Sequence, residues 1–307
     1  MPVSTHVHLG DVRQFDCDIL VLKYAGYSHG ADLAVAEALG ASLATDKRHH
    51  RFIETSNKIK AKEVLVIGVG SLNEFEYLEI SEFGRTAIEI IKRERPQART
   101  IGITIHGTGY GLDLVAVSGS LKAGLTSRTH QEIDAKIHVL TRDARQFEVL
   151  QQIFSGERLT TSRIPHLNPS QIDDGGRYGK RLFAAMPFDK SFDDHWDFAI
   201  LPSGHKNGLL IERLDHEFFT GDIVSEIRNR IDKSSAVVAL LDQANPNVFL
   251  EVGYAWGVGR PTILMLHEAA TPPFDVVSHK MIRYGRIKDL RDLLDVELAG
   301  LKHQGVF

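Results

Sequence analysis

The stretch at residues 236–259, AVVALLDQANPNVFLEVGYAWGVG, constrains the fold more than any other part of this chain. Residues 236–241 form an unbroken apolar run, which is typical of a strand covered on both faces in a parallel sheet. Asp242 follows the run, and Asn245 and Pro246 supply a good N-cap and a good first residue for a helix. A buried strand that leads directly into a helix predicts a crossover-connected α/β sheet, whose ligands lie outside the carboxyl ends of its strands.

The helix that follows carries one acid, Glu251. Val248, Val252 and Ala255 recur at i, i+4 and i+7, so they can pack on the sheet together. We expect Glu251 to lie off this stripe, just inside the first turn, where the helix dipole favours an ionised carboxylate. Such a carboxylate can attack a glycosidic carbon or stabilise an oxocarbenium ion there. A first-turn acid can equally do no more than complement the dipole, and the local pattern leaves both interpretations open.

Strand-length apolar runs alternate with helical patterns in both halves of the 307-residue chain, which predicts an α/β class with two domains. The stretch at residues 156–179 has little periodicity and contains Pro165, Pro169 and the pair Gly175-Gly176, as a linker would. We therefore expect a first domain at residues 1–155, the linker at 156–179 and a second domain at 180–307. The predicted strands lie at residues 18–24, 63–69, 100–106, 136–141, 181–185, 209–213, 236–241, 262–266 and 281–284.

Composition excludes several classes of protein. The formal net charge of -4 gives no basic footprint, so nucleic acid is not expected as the main partner. The single cysteine, Cys17, allows no disulfide within the chain and fits a reducing cytoplasm. The N-terminus lacks the regions of a signal peptide, and no apolar run has the length of a membrane span. Among the 15 histidines, the pairs His6/His8 and His49/His50 have no matching acidic or histidine partner at helical spacing, so we expect no metal site in this cytoplasmic protein.

Several segments of the second half resemble, in the same order, the nucleoside 2-deoxyribosyltransferase-like group, whose sheet and catalytic glutamate are similar to those of TIR domains. They are FAAMPFD at residues 183–189, IERLD at 211–215, GDIVSEIRNRI at 221–231, the stretch at 236–264, and PPFDV at 272–276. The resemblance implies a flavodoxin-like or TIR-like parallel sheet flanked by helices. It also implies that Glu251, in the motif DQANPNVFLEVGYA, attacks or stabilises the anomeric carbon of an N-glycosidic bond.

The same resemblance implies that five further residues contact the base and sugar of the substrate. They are Met186, Phe188, Asp215, Asp242 and Asn247. Each has a plain alternative, because apolar side chains here can pack and polar ones can cap turns.

One departure from the resemblance bears on the reaction. Deoxyribosyltransferases of this type carry an acid a turn or two before the central strand, whereas residues 227–230 here read IRNR. Base exchange needs that acid. Hydrolysis of a substrate with a good leaving group, such as the nicotinamide of NAD, needs less acid catalysis.

The first half resembles a macro domain and the macro-related N-terminal domain of leucine aminopeptidases. The matching segments are HLGDVRQFDCDILVLKYAG at residues 8–26, KAKEVLVIGVGSLNEF at 60–75 and IHGTGYGLDLVAVSGSL at 105–121. The resemblance implies that Asp11 reads adenine and that Gly107, Gly109 and Gly111 hold the diphosphate of an ADP-ribose-like ligand. Catalytic macro domains carry asparagines where residues 22–25 read LKYA, so removal of ADP-ribose is not expected. A scaffold without a ligand is the alternative.

These observations lead to one functional hypothesis and two alternatives. The hypothesis is an NAD glycohydrolase, with NAD as substrate and no cofactor, in a bacterial antiviral-type effector controlled by the macro-like domain. The first alternative is a nucleoside or nucleotide 2-deoxyribosyltransferase or hydrolase. The second is a nucleotide-binding signalling module without turnover. We also expect a homo-oligomer, because TIR-like sites are often completed across subunits.

Overall fold

The computed structural model of the protein describes residues 4–26, 28, 30–71, 75–108, 111–127, 134–155, 180–187, 189–214 and 223–307. The chain forms two compact units. Unit 1 comprises Met1–Thr108 and Leu114–Thr160, and unit 2 comprises Gly109–Asp113 and Thr161–Phe307. The expected linker at 156–179 lies outside the described residues. The short segment Gly109–Asp113, which the sequence places in the first half, is therefore part of unit 2.

Unit 1 is built around a largely parallel sheet with the strand order β1-β6-β5-β2-β4-β3, in which only the pairing of β3 with β4 is antiparallel. Buried leucines and valines of β2 and β4 pack against α1 on one face. Its elements are β1 (Ser4–Leu9), β2 (Ile19–Tyr24), α1 (Ala31–Leu39), β3 (His50–Glu54), β4 (Glu63–Gly68), α2 (Tyr77–Glu94), β5 (Thr100–Thr104), α3 (Leu114–Leu125), β6 (Lys136–Thr141) and α4 (Ala144–Ser155).

Unit 2 contains a parallel sheet with the strand order β11-β10-β9-β7-β8. The strand β8 lies on one side of β7 and β9 on the other, so the strand order reverses between β7 and β9, which is where open α/β sheets bind ligands. Its elements are β7 (Arg181–Ala185), α5 (Asp193–His195), a π-helical turn (Trp196–Ile200), α6 (Leu201–Lys206), β8 (Leu210–Glu212), α7 (Ile223–Lys233), β9 (Ala236–Leu240), α8 (Pro246–Gly257), β10 (Thr262–His267), β11 (Met281–Tyr284) and α9 (Ile287–His303).

Two apolar layers cover the two faces of the unit 2 sheet, because successive side chains of a strand point to opposite faces. In β9, Val238 and Leu240 join α9 and the segment 192–201, and we call this side the α9 layer. Val237 and Ala239 join α7 and α8, and we call this side the α8 layer. Every residue of β9 is buried, as its unbroken apolar run predicts.

The predicted α/β class, with mostly parallel sheets flanked by helices, is confirmed. Two strands were not predicted, β1 and the antiparallel β3. Both are rich in histidine and other polar residues and lie at the edges of their sheet, where one side of the strand has no neighbour. Within the described residues, no helix combines the length and the apolar character needed to cross a bilayer.

Candidate active site

The carboxyl edge of the unit 2 sheet brings together the turns that follow β7 and β9. Met186 comes directly after β7 and is buried, and Asp242 lies in the turn that leads from β9 to α8. Asn245 caps α8, because its Oδ1 accepts a hydrogen bond of 2.9 Å from the amide of Asn247. The predicted cap and the predicted proline in the first turn are therefore confirmed.

Glu251 lies deeper in α8 than the sequence suggested. It is the sixth residue of the helix, roughly 8 Å along the axis from Pro246. It shares its buried face with Val248, Val252 and Ala255, so the expectation that it lies off this stripe is wrong. The dipole effect fades within the first turn of a helix, and hence it does not hold Glu251 in its ionised form.

Burial controls the charge of Glu251. Its residue surface is 5% exposed, and no described residue forms a hydrogen bond or an ion pair with its carboxyl group. Burial raises the pKa of Glu251 to about 8. With only the protein around it, the carboxyl group is therefore mostly neutral at pH 7. This corrects the expectation that Glu251 is an ionised carboxylate. Such a group ionises readily once a cation lies beside it.

Asp242 holds three strand ends together. Its Oδ1 accepts from the amide of His267 at 2.8 Å, and its Oδ2 accepts from the hydroxyl of Tyr284. The Nε2 atom of His195 lies 3.8 Å from the same Oδ2. Burial lowers the pKa of His195, and the nearby Asp242 opposes that shift. Because both oxygens of Asp242 are already engaged, its clearest task is to fix the turn that precedes α8.

A cationic side chain that the sequence analysis did not single out lies beside Met186. Arg213 follows β8, and its Nη1 donates to Sδ of Met186 at 3.7 Å. Its guanidinium carbon stands 4.6 Å from the centre of the Trp196 ring. The only sequence signal is its place at the carboxyl end of a predicted strand, where ligands bind in such sheets.

Of the three remaining predicted contacts, the structure describes only Asn247. Asn247 is exposed in the first turn of α8, whereas Phe188 and Asp215 lie outside the described residues.

An acid does precede the central strand, one residue before the segment 227–230. It is Glu226, whose Oε1 accepts from Nε of Arg230 at 2.7 Å in a fully buried ion pair. Arg230 also contacts Glu212 at 3.3 Å. Both acids are therefore engaged with Arg230.

The residues of the predicted nucleotide site in the first half belong to both units. Asp11 caps a short 3-10 helix and forms a two-pronged ion pair with Arg13, with a closest approach of 2.6 Å. The hydrogen bond from Arg13 lowers the pKa of Asp11 to about 2. Gly107 has a φ of +103° and follows β5 in unit 1, as a loop that approaches an anion requires. Gly111 belongs to unit 2, where a Cβ would lie 2.6 Å from the carbonyl oxygen of Arg213. Gly109 lies outside the described residues.

A buried polar cluster occupies the carboxyl end of the unit 1 sheet. Nζ of Lys23, near the end of β2, contacts Oδ2 of Asp32 at 3.0 Å, and both side chains are buried. After β5, Nε2 of His106 lies 2.8 Å from Oγ1 of Thr104. Burial raises the pKa of Asp32 and lowers that of His106 well below its usual range. The sequence signal for this cluster was a lysine inside the otherwise apolar run ILVLKY.

Comparison with protein-family models finds no match to this chain, and comparison with curated proteins finds none either. Among solved structures, a macrodomain variant from Oceanobacillus iheyensis matches with 13% identity and a TM-score of 0.43, covering 49% of this chain and 90% of that one. The Trypanosoma brucei macrodomain in complex with ADP matches with 15% identity and a TM-score of 0.43, covering 49% of this chain and 68% of that one. These matches cover about half of this chain, and at such TM-scores they assign it neither a fold family nor a role for any residue.

Proposed function

We propose that unit 2 hydrolyses the N-glycosidic bond of a nucleotide whose base is cationic, and that NAD is its substrate. The observation that carries the proposal is the buried, unpartnered carboxyl group of Glu251. A cationic nicotinamide ring placed beside it supplies the missing positive charge, which favours the carboxylate over the neutral acid. A neutral nucleoside supplies no such charge and would meet about one tenth ionised carboxylate at pH 7.

The reaction follows from this pairing. The bond between C1 of the ribose and the nicotinamide nitrogen breaks, and its electron pair leaves with the neutral nicotinamide. The Glu251 carboxylate stabilises the positive charge that develops on the ribose, either as an ion or by bonding to C1. Water then adds to C1, which breaks the bond to Glu251 where one has formed, and a proton of the water passes to solvent; the product is ADP-ribose. The departing nicotinamide leaves as a neutral base and needs no proton from an acid such as Glu226.

Unit 1 has a proposed role as well. We propose that it binds an ADP-ribose-like nucleotide at Asp11 and the loop around Gly107, and thereby controls unit 2. The positive φ of Gly107 between β5 and α3 supports close backbone approach to an anion. The pairing of a nucleotide-binding unit with an NAD-cleaving unit supports the further proposal of an antiviral-type effector that works as a homo-oligomer in the cytoplasm.

The central test compares substrates and variants by mass spectrometry. Wild-type protein, with and without added ADP-ribose, is incubated with NAD and with a panel of nucleosides. We expect free nicotinamide from the wild type and a loss of at least a hundredfold in Glu251→Gln, because the amide can neither attack nor balance the charge. Glu268→Gln, which changes an exposed carboxylate just after β10, is the matched control and retains activity.

The alternatives give different results in the same assay. Release of a free purine or pyrimidine base in place of nicotinamide would favour a deoxyribosyltransferase or nucleoside hydrolase. An intact bound nucleotide without any turnover would favour the signalling module. Undiminished loss of NAD in well-folded Glu251→Gln would contradict the proposed role of Glu251.

A further inference from the structure

The outward side of α8 carries no charge. A helix turns by about 100° per residue, so four exposed residues lie opposite the buried side that carries Glu251. These four form what we call the outer face of α8: Pro246, Leu250, Gly253 and Gly257. Glu251 is the only acidic or basic residue of the segment 243–259, and it is buried. A helix that meets only water on its outer side usually presents charged and polar residues there.

Two glycines of the outer face, Gly253 and Gly257, are not required by the described part of the chain. Neither has a positive φ, and a Cβ at either position would have no heavy atom within 4 Å beyond its own stretch of helix. A glycine inside a helix lowers stability relative to alanine, because glycine loses more conformational freedom on folding. Two open glycines on one helix face do allow the close approach of another backbone.

An exposed aromatic residue, Phe274, lies in a segment that packs beside α8. Its residue surface is 89% exposed, and that of Leu250 on the outer face is 56% exposed. The segment 274–279 is held next to the helix, because the ring of His279 stacks on that of Trp256 at 4.2 Å. Exposed apolar side chains that lie close together are typical of surfaces that bind a partner.

The charged groups around this surface lie on its flanks. Tyr254 and Trp256 are about 200° apart around α8, so they lie on opposite flanks of the outer face. On the first flank Arg228 stands 5.4 Å from the centre of the Tyr254 ring, and Asp232 accepts from its hydroxyl at 3.0 Å. On the second flank Asp275 is exposed beside Phe274. An uncharged centre with a polar rim is the usual anatomy of a protein interface.

A surface without charge is suited to meet a second copy of itself. Across a two-fold axis the same surface lies on both sides, so any charge near the axis faces a like charge, which is costly. The outer face of α8 brings no such charges together. An axis parallel to α8 exchanges the two flanks, and Arg228 of one copy then lies on the flank that faces Asp275 of the other.

We propose that the outer face of α8, with Phe274 beside it, is the two-fold interface through which two copies of this chain associate. This inference rests on the proposed homo-oligomer and names the surface that forms it. The partner copy packs against the outward side of the helix whose inward side carries Glu251.

The substitution Gly253→Glu separates association from folding. The new side chain enters open space and replaces glycine by a better helix former, so circular dichroism should show the helix content of the wild type. At the interface the same change places bulk and two like charges near the axis. Sedimentation velocity over a range of concentrations should show a dimer for the wild type. We expect the dissociation constant to rise about a hundredfold or more in Gly253→Glu and about tenfold in Phe274→Ala.

The matched control is Gly300→Glu. Gly300 is also a helical glycine with open space around it, but it belongs to α9, which covers the other face of the sheet. This variant should associate as the wild type does. A further variant, Gly253→Lys, tests the two-fold axis directly. An equimolar mixture of Gly253→Glu and Gly253→Lys should associate more tightly than either variant alone, because opposite charges then face each other across the axis.

A wild type that stays monomeric at every concentration would overturn the inference and leave this surface to another protein. Association of Gly253→Glu as tight as that of the wild type would also overturn it, since the dimer would then use another surface. Release of nicotinamide from NAD, measured in the same samples, decides the proposed reaction separately. A dimer without turnover contradicts only the reaction, and a monomer that cleaves NAD contradicts only the interface.

Discussion

At the scale of single residues, the burial of the Glu251 carboxyl group lowers the stability of the folded protein at neutral pH. Its carboxyl group is buried among the apolar side chains of the α8 layer without a partner among the described residues. A carboxyl group in such surroundings resists ionisation, and its raised pKa is the measure of that resistance. The fold favours the neutral acid, whereas the proposed reaction with a cationic base needs the carboxylate.

The pH dependence of stability tests this account. The pKa of Glu251 is raised to about 8 in the folded protein from 4.5 in the unfolded chain. Below pH 4.5 both states hold the proton; between pH 4.5 and 8 only the unfolded chain releases it, so stability falls as pH rises. Glu251→Gln removes this loss. We expect it to raise the free energy of unfolding on the order of 3 kcal/mol at pH 7, and hardly at all at pH 4.

Denaturant unfolding of both proteins from pH 4 to pH 9 measures the difference. Glu268→Gln serves again as the control, since it makes the same substitution at an exposed position. A difference between wild type and Glu251→Gln that does not change with pH would show that Glu251 is already ionised in the folded protein.

At the scale of elements, a residue from a distant segment of the chain binds a backbone amide of the edge strand β8. Asp113, in the part of unit 2 formed by Gly109–Asp113, accepts from the amide of Ile211 at 3.2 Å. The same Oδ2 atom lies 2.5 Å from Nε2 of His205, and both side chains are fully buried. An uncovered edge strand exposes a row of unpaired backbone groups. Asp113 thus binds the backbone of β8, the strand that Arg213 follows.

Removal of Asp113 should therefore destabilise unit 2. In Asp113→Ala the amide of Ile211 loses its acceptor and His205 loses its buried partner, for which we expect a cost of about 3–5 kcal/mol. Chemical unfolding followed through the tryptophans Trp196 and Trp256, both in unit 2, measures this cost. Asp275→Ala, at an exposed position, should change stability by less than about 0.5 kcal/mol. A similarly small change in Asp113→Ala would contradict the role given to the buried pair.

At the scale of the whole molecule, two parallel-rich sheets give the chain two carboxyl edges, each with its own polar groups. In unit 2 these groups are Asp242 and Arg213, with Glu251 deeper along α8, and in unit 1 they are the Lys23–Asp32 pair and the loop at Gly107. The proposed reaction of unit 2 produces ADP-ribose, the same kind of nucleotide that we propose for unit 1. The ligands that we propose for the two units are thus chemically related.

The proposed site of unit 1 can be tested separately from the reaction. Calorimetric titration of ADP-ribose into Glu251→Gln avoids turnover. In the double variant that also carries Asp11→Asn we expect binding about tenfold weaker, because a carboxylate acceptor is replaced by a neutral amide. Asp16→Asn in the same background is the control, since Asp16 is not part of the proposed site. Equal affinity in both double variants would remove Asp11 from the site, and no binding at all would favour a scaffold role for unit 1.

The sequence by itself determined the α/β class, the positions of most strands and helices and the cap at Asn245. These features follow from periodicity and from capping within a few residues, which any short window of the chain contains. Only the tertiary structure decided the features that depend on distant parts of the chain. It buried Glu251 and neutralised its charge, and it engaged Asp242 with groups 25 and 42 residues away. It also placed Arg213 on Trp196 and put Gly111 into unit 2. Solvation and pairing depend on what the fold brings alongside a residue, and local sequence does not contain that information.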